Sequence, residues 1–322
     1  QMATLVAELG DQKTKDAASA ALVSIANYVL SDEWRKLQTP LLEAANKASK
    51  QEPTPPQFQI QLATFQDEEL LRDFGAMKKV GGRPAVDFLL TNAAKKDWPE
   101  KRRVGALAAL EQRLDKKNPD DVKRILDIAA SDAPDGVLDQ AFRRIGEMPR
   151  DAVVGKLYDQ FKTDKWKVRR AAAATVLKMS KVKDIDDFMG HLPEGRNEKG
   201  FAMPEALTYG ADLGSLKDGD AYASLKKWFD KGSGAQRASA LSWFFTFGTT
   251  ANLKALQAYE DERINVPTCE AEDCKWSCDV PKDNGKDHET KDIKTLGEFV
   301  KYCLEPTVKD RKPEEKKPEP KK

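Results

Sequence analysis

Asp164-Lys165-Trp166-Lys167-Val168-Arg169-Arg170-Ala171-Ala172-Ala173, continued by Val176 and Met179, is the stretch that decides the fold. It reads as an acidic turn followed by an alanine-rich helix whose apolar residues return at helical spacing. Two weaker copies lie on either side. Asp97-Trp98-Pro99 leads into Arg102-Arg103-Val104 with Leu107, Leu110 and Leu114, and Asp230 leads into Gln236-Arg237-Ala238 with Leu241.

Helices of a second kind alternate with these. Asn118-Pro119-Asp120-Asp121 starts one, because Asn118 can accept orphan N–H groups and Pro119 loses nothing at the first helical position. Val122, Ile125, Leu126 and Ala129 mark its buried stripe. Asp151-Ala152-Val153-Val154 with Leu157 and Phe161, and Asp220-Ala221-Tyr222 with Leu225 and Trp228 or Phe229, repeat the style. First helices are expected near Pro84, Asp120, Asp151, Asp184, Asp220 and Thr250, and second helices near Arg103, Val137, Arg169, Met203 and Arg237. The spacing of about 33 or 34 residues is the length of a helical hairpin with its connection. One hairpin cannot bury both faces, so neighbours must stack. The expected fold is an all-α solenoid, and strand patterns are nearly absent.

The Asp164–Ala173 stretch resembles the second helix of HEAT repeats of the short, bacterial, PBS-lyase-like type, in which a turn Asp precedes a Val-Arg pair and an alanine-rich face. The match is good in that repeat, fair in its two copies and poor around Met203 and Val137, where no Val-Arg pair occurs. The resemblance implies a right-handed superhelix, here of roughly five to seven hairpins. It also implies alanines that permit close helix contact and an Asp–Arg ladder between successive repeats. In this chain the ladder would fall to Asp97, Arg103, Asp164, Arg169, Asp230 and Arg237.

The expected organisation is N-terminal hairpins over 1–50, a proline-rich loop over 51–57, the array over 58–262, a cysteine-bearing insertion with a capping helix over 263–308, and a tail over 309–322. Near the start, Lys15 to Ile25 reads as an alanine-rich second helix, and Thr39-Pro40 reads as the cap of a helix running to about Ser49. Gln51-Glu52-Pro53-Thr54-Pro55-Pro56 reads as a stiff extended loop. The tail from Lys309 alternates Lys, Glu and Pro with no apolar anchor after Val308, a composition expected to be disordered. The chain begins at Gln1 rather than methionine, so it is read as processed or trimmed, and a missing export signal carries no information.

Charge narrows the function. The 54 Lys and Arg offset 53 Asp and Glu, and mean hydropathy is −0.65. A net charge of +1 lacks the excess that draws a phosphate backbone, so nucleic acid is disfavoured as a partner. No stretch approaches a transmembrane span. Only His191 and His288 are present. A HEAT-like iron hydroxylase needs several His-Glu pairs, and this chain has one, His288-Glu289. His191 reads as a helix C-terminal cap beside Leu192-Pro193. No nucleophile elbow, Walker loop or dinucleotide fingerprint occurs, and neither a catalytic residue nor a cofactor is expected.

All four cysteines fall in one segment: Cys269, Cys274, Cys278 and Cys303. Their spacings do not match the Cys-x2-Cys knuckles of structural zinc sites, so two disulfides are expected before zinc or free thiols. Any of three pairings is open. Ile293, Leu296, Val300 and Cys303 form the stripe of a last helix, onto which the insertion would be stapled. Clustered cysteines in a chain otherwise free of them point to an oxidising compartment, here a bacterial periplasm or envelope.

Two surface candidates remain. Arg102 and Arg170 are left over from the ladder, and with Trp98 and Trp166 they could line a groove for an acidic peptide, a glycan or single-stranded nucleic acid. Trp243-Phe244-Phe245-Thr246-Phe247 points rings in several directions, filling space beneath the cysteine insertion or forming a partner patch at Trp243 and Phe244. The expected function is a non-enzymatic scaffold or adaptor for a protein partner. Alternatives are a HEAT-like nucleic-acid-binding protein or DNA glycosylase-type enzyme, and a chromophore-lyase-like enzyme.

Overall fold

The computed structural model describes residues 8, 10–192, 206–216, 218–232, 234–263, 276–282 and 287–312. The chain divides into two compact units, Gln1–Val153 and Val154–Lys322. Among the described residues it is predominantly helical, and within each unit helices pack in sequence as hairpins, the local arrangement of an α-solenoid.

In the first unit, α1 (Gln12–Val29), α4 (Arg83–Ala94) and α6 (Pro119–Ala130) form one layer, and α3 (Pro55–Val80), α5 (Glu100–Ala109) and α7 (Asp135–Ile145) form the other. Between α1 and α3 the chain makes an additional helix, α2 (Asp32–Ala48). The core is the facing stripes, with Leu70, Phe74, Leu89, Leu107, Ile125 and Ala141 all essentially buried.

The first layer is tied by polar contacts. Gly81 and Gly82, at φ 71° and 92°, turn the chain from α3 to α4 in a conformation that only glycine adopts easily. Gly82 therefore offers no side chain to cap α4, and α1 supplies it. Asp16 Oδ1 accepts from Arg83 N–H at 3.0 Å, and Ser19 Oγ accepts from Ala85 N–H at 2.7 Å. Pro84 has no N–H to satisfy. Arg83 Nη1 then reaches Asp121 Oδ1 at 2.7 Å, while Arg124 reaches Asp87 Oδ1 at 2.8 Å and Thr91 Oγ1 at 2.7 Å.

The division between units falls inside α8 (Arg150–Asp159). In the second unit α9 (Trp166–Met179), α11 (Gly210–Gly214) and α13 (Gly234–Phe247) pack in order, with α10 (Ile185–His191) and α12 (Ala221–Lys231) alongside. Gly210 is required where α11 meets α13, since a Cβ there would lie 2.2 Å from the Ser242 carbonyl carbon. Aromatic donors link the outer elements: Tyr158 to Asp187 at 2.8 Å, Trp228 to Asp186 at 3.0 Å and Tyr259 to Asp230 at 2.7 Å. After α14 (Leu253–Gln257), strands β1 (Ser277–Pro281) and β2 (His288–Asp292) pair antiparallel, Ser277 opposite Asp292. The last helix runs through α15 (Leu296–Phe299), a π-turn Val300–Leu304 and α16 (Glu305–Val308). Pro306 has no N–H to return to the preceding turn, and the helix widens just before it.

Several expectations change. Lys15–Ile25 lies within α1, in the first layer rather than the second. The helix read from Thr39-Pro40 starts earlier, at Asp32, where Ser31 Oγ accepts from Trp34 N–H at 3.2 Å, and it runs through Pro40. Pro55 and Pro56 open the long helix α3, so only residues 51–54 of the proline-rich stretch are extended. The cysteine segment contains a β-hairpin in a fold read as all-α. Arg311, placed in a tail expected to be disordered, bonds the carbonyls of Phe245, Thr246 and Gly248 at the end of α13. Its anchor is a guanidinium on orphan helix carbonyls, which a search for apolar anchors misses.

Candidate functional site

The arginines of the second helices are structural. Arg103 and Arg169 are almost fully buried. Arg103 Nε donates to the Ala93 carbonyl at 2.8 Å, Arg169 Nη1 to Thr163 at 2.6 Å and Arg237 Nη2 to Asp230 at 3.0 Å. Each reaches back to the end of the element before it, where unpaired carbonyls favour a cation. The expected ladder residues are therefore placed in two ways. Arg237 also pairs with Glu262 and Asp230 also accepts from Tyr259, both farther along the chain. Asp97 and Asp164 are exposed in their turns.

The partner-binding candidates are spread apart. Arg102 is turned inward: its side chain is 11% exposed, pairs with Asp67 and donates to Gln66 Oε1 at 3.0 Å. Trp98 stacks on Phe74 with centroids 6.4 Å apart and takes the Arg102 and Lys95 cations over its ring. Phe244 is a core ring, so no surface remains for a partner. Trp243 is half-buried between Tyr222 and Phe247. Phe245 meets Trp276, just before β1, edge to face, so this ring does lie against the cysteine segment. Arg170 is exposed and Trp166 half-buried on α9.

The cysteine segment is stapled as far as it is described. Cys278 on β1 bonds Cys303 in the π-turn, their Cα atoms 5.6 Å apart. Cys269 and Cys274 lie outside the described residues, as do Met203 and residues 313–322. Among the described residues no metal-binding group of His, Cys, Asp and Glu occurs, and no helix is long and apolar enough to cross a membrane.

A groove of about 930 Å³ opens between the end of α2 and the start of α3. Pro53, Pro55, Pro56 and Phe58 give it apolar walls, Lys47 and Lys50 its cations, Glu43 and Glu52 its carboxylates, and Asn46 a mostly buried amide whose Nδ2 is held by Gln61 at 2.9 Å. Lys50 is, with Gln112, one of two non-glycine residues with a positive φ among the described residues. Its φ of 54° is left-handed. Gln51 N–H bonds the Asn46 carbonyl at 2.8 Å and Lys50 N–H bonds Lys47 at 3.1 Å, the double closure that ends a helix with a position normally given to glycine. A side chain there costs about 1–2 kcal/mol and puts a cation on the groove wall.

Compared with protein-family models and with curated proteins, the chain matches none.

A second cavity of about 630 Å³ is lined by Asp212, Lys178, Ser180, Lys181 and Ser215. Burial raises the Asp212 pKa, with Arg170 acting against it. Lys181 is spent on Asp218 at 3.1 Å. His191 does what a cap does: Nδ1 bonds the Asp187 carbonyl at 2.8 Å, and its ring stacks on Tyr158 at 3.7 Å. The groove left no signal beyond its prolines, because it depends on a backbone conformation at Lys50 that residue type argues against.

Proposed function

We propose that the chain is a non-enzymatic scaffold that holds a protein partner, and that the α2–α3 groove seats an extended segment of that partner. The observation that carries this reading is Lys50, kept in a strained conformation at the wall of the groove. Strain of this kind persists where the surroundings impose it and collects at ligand-binding positions. Proline and phenylalanine walls suit an apolar side chain of an extended peptide, and the flanking Lys47, Lys50, Glu43 and Glu52 suit its polar backbone and neighbouring polar groups. The hairpins are read as HEAT-like, on the three arginines that close their turns, and the workplace as a bacterial periplasm or envelope, on the Cys278–Cys303 bond. Trp166 and Arg170 add a separate contact surface on α9.

Selection of random displayed peptides on the full chain tests the groove. Enriched peptides should share an apolar residue and lose at least tenfold in affinity on Phe58→Asp. Peptides whose binding ignores that substitution, or no enrichment, would refute the seat.

A further inference from the structure

Four chain connections line one edge of the first unit. At the start of α1, Asp16 Oδ1 accepts from Arg83 N–H at 3.0 Å, beside the turn from α3 to α4. Arg113 Nη2 lies 3.5 Å from the Lys79 carbonyl and Arg83 Nη1 lies 2.7 Å from Asp121, which adds the connection from α5 to α6. Gln112 N–H reaches Glu147 Oε2 at 2.7 Å, which adds the turn after α7. The α2–α3 groove opens at the other end of α3, so the two surfaces are separate.

Charge is sorted along this edge. Asp11, Asp16, Asp115, Asp121 and Glu147 each accept a backbone N–H. Glu111 is paired with Lys78 and Asp120 with Arg124, and Glu8, ahead of α1, is the acid left over. The cations are not committed in this way. Lys13, Lys15, Lys79, Arg113, Lys116 and Lys117 form no ion pair among the described residues. Lys15 is half-buried and the other five are exposed. The edge thus turns a row of positive charge to solvent in a chain whose net charge is only +1.

The make-up of the row selects its partner. All but Arg113 are lysine, a hydrated point charge without the planar fork that recognises a single carboxylate or phosphate. Packed helices stand about 8–10 Å apart, so the cations are strung along a line rather than gathered round one anion. The four connections carry no aromatic ring on which a nucleic-acid base could stack. Their larger apolar residues, Val80, Leu110, Leu114, Ile145 and Met148, are all buried, which leaves no anchor of the kind that carries a protein interface. What remains is attraction to a broad layer of mobile negative charge that can rearrange to meet the cations where they stand.

From this arrangement we infer that the edge docks the chain on the surface of an anionic lipid bilayer, peripherally and without insertion. The inference is independent of the peptide groove, which shares none of these residues.

Flotation of the full chain with vesicles tests it. Vesicles of phosphatidylcholine mixed with an equal part of phosphatidylglycerol should carry the chain upward at low salt, and pure phosphatidylcholine vesicles should not. Binding should weaken steeply as salt is raised. Lys116→Ala with Lys117→Ala should weaken it about twenty-fivefold, at roughly fivefold per lysine, with an unchanged melting curve. Lys226→Ala with Lys231→Ala, exposed lysines on α12 in the second unit, should leave it unchanged. No binding to the anionic vesicles at low salt overturns the inference, as does a Lys116 and Lys117 variant that loses no more than the α12 variant. Binding to single-stranded DNA or to polyglutamate at the same salt, with the vesicles ignored, also overturns it and gives the edge to that polyanion.

Discussion

The guanidinium of Arg169 lies 2.6 Å from the carbonyl oxygen of Thr163, inside the hairpin to which both belong. Arg103 makes the same contact with Ala93, and Arg237 with Asp230. In these three second helices an arginine near the start thus closes the turn that precedes it, satisfying a carbonyl that the end of the previous element leaves open.

These arginines should matter to stability far more than their neighbours do. Arg103→Ala or Arg169→Ala removes a charged hydrogen bond to backbone and a buried stem, at about 2–3 kcal/mol. Arg170→Ala, one residue along and exposed, should change stability by less than about 0.5 kcal/mol. Urea unfolding of the three variants decides it, and equal effects at Arg169 and Arg170 would be incompatible with the turn-closing role.

Ser19 caps a helix more than sixty residues away from it. Ser19→Ala should lower stability by about 1 kcal/mol, the usual value of an N-cap, although Ser19 is mid-helix in α1, where alanine is the better helix former. A rise in melting temperature on that substitution would mean that the bond to Ala85 contributes nothing.

Two carboxyls are held above their ordinary range. Burial, then Glu69, pushes Asp73 from 3.8 to about 6, and burial, then a hydrogen bond with Glu260, pushes Glu305 from 4.5 to about 7. Asp73 Oδ2 and Glu305 Oε1 are buried without a hydrogen-bond partner. For a raised acid the folded chain holds more protons than the unfolded one between the two values. Stability from these groups is therefore full below about pH 4 and falls as pH rises to 6 and 7. Asp73→Asn with Glu305→Gln should remove that fall and stabilise the chain near pH 7.5 by on the order of 1–2 kcal/mol. Urea midpoints at pH 4.5 and 7.5 measure it. A wild-type stability that climbs across the interval would contradict the assignment.

Lys50→Gly should raise stability by about 0.5–1 kcal/mol by relieving the left-handed backbone, and should weaken peptide binding in the groove. Thermal melts and fluorescence titration read the two effects separately. A destabilised variant would show that Lys50 is not strained.

Much of the array is legible because its signals are local. Asn118 caps α6 as its residue type demands, accepting from Asp120 N–H at 3.0 Å, and α4, α6, α8 and α12 begin within a residue or so of the expected starts. The failures are contacts whose partners are remote or whose chemistry is atypical. Thr39-Pro40 looks like a start because proline favours first turns, yet Ser31 had already begun the helix. Gly82 gives no hint that Asp16 and Ser19 will cap α4. The β-hairpin lacks apolar alternation, and it holds its place through Cys278, the edge contacts of Trp276 with Phe245 and Phe299, and the Lys291 cation over Tyr302. Among the candidate contact residues, Arg102 and Phe244 were legible as an arginine and an aromatic on helices, but their direction depended on Asp67 and on the core around Tyr222 and Phe229.

The Cys278–Cys303 bond makes an intact backbone between the two cysteines dispensable to the chain's covalent continuity. A protease cutting once between those residues would leave two fragments still joined, migrating as one species until a reductant separates them.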